Sequence, residues 1–159
     1  MELQQKLAQL GMRCFAPKEQ GKFVSDPSDP YFFETYIGMQ EVKVERGDCA
    51  VWISDDAKTA YMHRGPEIVK SPVMCTVIRG FAPENKSSTI VNRTVLPYIN
   101  GCSTKQIFAP DRPGDPTLQL LFMPAFTHEQ AHHIHPTARC VYVVSGRGQS
   151  VVGMGDGMV

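Results

Sequence analysis

The sequence predicts an all-β domain led by one short helix, and three observations carry that prediction. Short runs rich in β-branched and aromatic residues recur from residue 40 onward. Gly, Pro, Asp and Asn punctuate them, as in Arg46-Gly-Asp48, Tyr98-Ile-Asn-Gly101 and Arg112-Pro-Gly-Asp-Pro116. Helical spacing of apolar residues is confined to the first eleven positions, where Leu3, Leu7 and Leu10 form a stripe that Gly11 ends.

Taken in order, the helix is followed by a polar stretch, Ser25-Asp-Pro-Ser-Asp-Pro30, read as a loop or arm. Residues 1–35 are thus expected to form an N-terminal helix and arm, and residues 36–159 a β-domain. Its predicted strands are Gln40–Glu45, Cys49–Ser54, Val73–Phe81, Thr89–Leu96, Thr104–Phe108, Leu118–Pro124, Arg139–Ser145 and Gln149–Met154. The final residues, Gly153-Met-Gly-Asp-Gly-Met-Val159, read as a hairpin turn and the start of a further strand. A strand without a partner leaves an open edge, so the sequence is expected to stop within a domain that needs more strands.

The bulk numbers narrow the function. A length of 159 residues suits one domain with a real core. Sixteen basic side chains balance sixteen acidic ones, which argues against nucleic acid as the main partner. The N-terminus lacks the basic and apolar regions of a signal peptide, and no apolar run approaches membrane-spanning length. Five cysteines, odd in number and without a C-x-x-C pair, suit reduced thiols. These readings predict a cytoplasmic protein that binds neither membrane nor nucleic acid.

The chemistry is concentrated in Thr127-His-Glu-Gln-Ala-His-His-Ile-His135. Residues i and i+2 of an extended chain point to one side, so His133 and His135 can reach one metal ion. Imidazoles suit Zn, Fe, Ni and Cu, and Mn when carboxylates join them. His128 and His132 are further ligand candidates, and Glu129 is a candidate ligand or general base. His63 follows Gly47-Asp48 and an apolar run, and is a weaker candidate to complete the set. Cys140 reads as a core residue, a soft ligand or an oxidisable thiol. No Ser-His-Asp order, P-loop or dinucleotide fingerprint is present.

His133-Ile-His135 followed by Val141-Tyr-Val-Val-Ser-Gly-Arg-Gly148, with the run Leu118-Gln-Leu-Leu-Phe-Met-Pro124 upstream, resembles the first motif of the cupin superfamily. The resemblance covers residues 88–159 and extends to the N-terminal half only as general β character. It implies a double-stranded β-helix of the jelly-roll kind, broken off after the first motif, with a metal inside the barrel. It further implies a divalent transition metal (Fe, Ni, Mn or Zn), a small-molecule substrate and a homodimer. The activity it implies is a small-molecule oxidoreductase of the dioxygenase type acting on an anionic substrate. Alternatives are a non-catalytic cupin that binds or senses a small ligand, and a cupin isomerase, decarboxylase or lyase.

This chain departs from the family pattern in three ways. Thr127 replaces the motif's leading glycine, the second motif is absent, and Arg139 stands where the family places its metal-binding glutamate. An arginine cannot ligate a metal. Pointing inward, Arg139 would need an anionic partner such as a substrate carboxylate, which would give it a catalytic orienting role. Slipped by one residue, the strand would turn Arg139 outward and Cys140 inward.

Overall fold

The computed structural model describes residues 3–153 apart from 27, 29, 30, 92, 129–132, 134, 136 and 137. The chain is mostly β, with antiparallel sheets and one short α-helix among the described residues. The helix α1 spans Leu3–Gln9. It ends as glycine ends helices: Gly11 takes φ 67°, its N–H bonds to the Ala8 carbonyl, and the Met12 N–H bonds to that of Leu7. Of the predicted leucine stripe only Leu7 is buried, while Leu3 and Leu10 are exposed.

Eleven strands follow among the described residues. Those of the main sheet are β1 (Gly21–Val24), β2 (Phe33–Ile37), β4 (Cys49–Ile53), β5 (Thr59–Arg64), β7 (Met74–Ile78) and β8 (Lys86–Thr89), in the order β1-β2-β7-β4-β5-β8. β3 (Glu41–Val44) pairs with β6 (Glu67–Lys70), and β10 (Ser103–Phe108) lies between β9 (Leu96–Pro97) and β11 (Leu118–Phe122).

Burial follows position in the sheet. β7 is buried at every residue and β4 at all but Trp52, which is why both read as continuous apolar runs. The edge strands β1 and β8 alternate between half-buried and exposed. Side-chain alternation then splits the core in two. On one face Cys49, Val51, Ala60, Met62, Ile78 and Phe81 meet Phe108 of β10. On the other, Ala50, Cys75 and Val77 meet Val42, Val44 and Val69 of β3 and β6.

The structure departs from the sequence expectations in several places. The N-terminal arm expected through residue 35 supplies β1 and most of β2, so the break at 35/36 falls inside a strand of the main sheet. The single strand expected over Thr89–Leu96 is instead the end of β8 and the start of β9. Between them Val91 bonds back to the Thr89 carbonyl and Arg93 to that of Val91, tight local turns that take up backbone groups a ladder would need. No strand forms over Arg139–Ser145, nor over the described part of Gln149–Met154. β1, β2, β5 and β6 were not expected; they are mixed in polarity, and β2 and β6 pair with strands far along the chain, β7 and β3, whereas β5 pairs with β4 in a hairpin. Among the described residues no helix is long and apolar enough to cross a membrane.

Candidate metal site

The histidine-bearing segment follows β11, which ends at Phe122. The Thr127 hydroxyl donates to the Pro124 carbonyl at 2.9 Å. The His128 carbonyl then accepts a 3.0 Å hydrogen bond from Asn100 Nδ2. Asn100 stands in the 3-10 turn Ile99–Gly101, between β9 and β10, in the left-handed conformation (φ 54°) that asparagine tolerates better than most residues. Beyond the histidines, the Cys140 thiol lies 3.0 Å from the Thr35 hydroxyl of β2. That hydroxyl is also 3.0 Å from the Thr76 hydroxyl of β7. His128 is thus held at the turn beside the three-stranded sheet, and Cys140 at the main sheet.

Within this span His133 and His135 are exposed and face each other. Their Nε2 atoms are 2.6 Å apart, and their rings meet edge to face at 82° with centroids 4.4 Å apart. At that separation a lone pair on one Nε2 accepts a hydrogen carried by the other. Two imidazole nitrogens bound to one ion by bonds of about 2.0–2.1 Å lie roughly 3 Å apart. The observed spacing is close to that value, and imidazole donors suit a transition metal.

The other candidates are less converged. His128 is placed through its backbone, and the described residues contain no group of three His, Cys, Asp or Glu side chains that could hold a metal. Glu129 and His132 lie outside the described residues. Arg139 is exposed, and so is Cys140, whose thiol meets the Thr35 hydroxyl; with no strand here, Cys140 is not the core residue expected. His63 is remote in kind as well as in sequence. It packs against Trp52 and Tyr61, with Nδ1 3.6 Å from a Glu67 oxygen, on the sheet face opposite Thr35.

One constellation escaped sequence reasoning. Buried Glu34 accepts from Lys22 (2.6 Å), Arg79 and the Tyr36 hydroxyl (3.2 Å). Arg79 also donates to buried Asp48, whose other oxygen accepts from the Gly80 N–H at 3.0 Å. Burial pushes the Glu34 carboxyl up, but the hydrogen bonds and charges of Lys22 and Arg79 outweigh it and hold the group below its ordinary value. Each acceptor is matched by a donor, so this is a device that joins β1, β2, β4 and β7, with no open coordination position. The buried thiols of Cys49 and Cys75 are both pushed up to about 12 by burial and are unreactive as nucleophiles.

Comparison of the chain with protein-family models, with curated proteins and with solved structures finds no match.

Proposed function

We propose that this chain is a cupin-like protein that binds a divalent transition metal through His133 and His135. Its chemistry would be of the dioxygenase type on a small anionic substrate. The observation that carries the metal reading is the convergence of the two Nε2 atoms at 2.6 Å. The jelly-roll fold, the homodimer and the oxidoreductase chemistry rest on the resemblance of residues 88–159 to the first cupin motif. A metal held there would supply open positions for substrate and O₂. His133 and His135 would hold it as neutral imidazole donors. Arg139, exposed on the same segment, offers a permanent cation to an anionic group arriving from solvent.

One observation favours a second reading, a non-catalytic cupin that binds or senses a small ligand. His133, His135 and Arg139 are all exposed, whereas metal catalysis uses a dry, shaped cavity. Metal analysis of the purified protein and of its His133→Ala/His135→Ala variant tests the metal reading. Bound metal in the parent and none in the variant supports it; equal content in both sinks it. Oxygen uptake with small thiols and carboxylic acids as substrates then separates enzyme from sensor.

A further inference from the structure

We infer that Asn100 is a positioning residue for the histidine pair: a side-chain latch that fixes the start of the segment carrying it. The inference rests on the metal reading above for its functional meaning and on contacts of its own for its physical basis. Among the described residues, two contacts hold His128 and Cys140 to the body of the protein. Cys140 meets Thr35 on the main sheet. The His128 carbonyl accepts a hydrogen bond from Asn100 Nδ2.

Three features suit Asn100 to that task. Its φ of 54° favours asparagine or glycine, and among those two only asparagine brings a donor. Its neighbour Gly101 takes φ 76°, a conformation that glycine adopts without strain and that lets the turn close directly after Asn100. The 3-10 turn itself is closed by the Cys102 N–H on the Ile99 carbonyl at 3.0 Å, and Cys102 is buried, so the latch is mounted on a fixed base. Thr127, bonded to the Pro124 carbonyl, shapes the chain between the turn and His128.

With the latch closed, His128 is held at a defined point, and less ordering remains to be done when His133 and His135 meet a common ion. Asn100→Asp keeps the size and the tolerance for positive φ but sets a carboxylate against the His128 carbonyl. Asn100→Gly keeps the backbone conformation and removes the donor. Trp52, the sole tryptophan, lies in β4 of the main sheet, so its emission reports whether each variant is folded.

Two measurements on the full chain test the inference. In metal-free protein, amide hydrogen exchange of the peptide that covers Thr127 and His128 is followed by mass spectrometry. Loss of one hydrogen bond should speed it roughly three- to tenfold in both variants, with native Trp52 emission. In zinc titrations followed by calorimetry, both variants should bind roughly three- to tenfold more weakly than the parent. Unchanged exchange, or unchanged zinc affinity beside a binding parent, overturns the latch. A parent that binds no zinc overturns the metal reading, and the latch is then decided by the exchange rates alone.

Discussion

β7 and the stretch Arg139–Ser145 are close in composition and opposite in fate. Met74-Cys-Thr-Val-Ile78 is buried at every position and paired on both sides, with β2 and β4. Arg139-Cys-Val-Tyr-Val-Val-Ser145 has at least as much β-branched and aromatic character, yet forms no ladder, and Val141 and Val143 are 81% and 65% exposed. Strand propensity describes how well a residue fits a pleated, half-buried surface; neighbours must supply that surface. β7 has them through residues 33–37 and 49–53. Arg139–Ser145 has no such strand beside it, and its side chains stay open to solvent.

The sharpest way to break the comparison is to disturb the sheet where it has no slack. A Cβ on Gly65 would stand 2.0 Å from the Glu45 carbonyl oxygen, a clash with backbone that no rotamer relieves. Gly65→Ala should cost about 3 kcal/mol or more, read from denaturant melts. A melt that matches the parent would show that the strands around it yield far more than their burial suggests.

Glu34→Gln should have the next largest effect, about 1–3 kcal/mol at neutral pH, because it weakens the bonds to Lys22 and Arg79. The sign of its pH dependence follows from the depressed pKa of Glu34. The stabilisation is present above the unfolded-state carboxyl value of about 4.3 and is lost as pH falls through the lower, folded-state value. Parent and variant melts should therefore converge in acid, and a gap that widens there would contradict the assignment.

The smallest effect on stability belongs to the histidines. His133→Ala/His135→Ala should shift the melt by less than about 0.5 kcal/mol, since both rings are exposed, while abolishing metal uptake. A large loss of stability would show that the pair helps hold the fold, and the contrast between the two regions would fail.

Much of this was legible in the residues, and what was not has identifiable causes. Cys49–Ser54 and Val73–Phe81 announced β4 and β7 because strands buried on both faces read as apolar runs. His133 and His135 were singled out by their spacing, and their rings do meet edge to face. By contrast, Arg79 reaches Asp48 across 31 positions and Glu34 across 45, and nothing local to Arg79-Gly80 names those partners. The latch from Asn100 spans 28 positions and begins in a turn recognisable only as a turn. Arg139–Ser145 misled for the converse reason: its local pattern is that of a strand, and strand formation is settled by neighbours that a pattern does not record.

The placement of the five thiols gives the molecule a built-in chemical readout of its own opening. Cys14 and Cys140 are exposed, whereas Cys49, Cys75 and Cys102 are buried. A disulfide reagent added to native protein should label Cys14 first and Cys140 more slowly, because the latter thiol is engaged with Thr35. The remaining three should react only as fast as the sheets come apart. Counting labels by mass against time would therefore separate release of the histidine segment from global unfolding in one experiment, without a metal or a substrate in the tube.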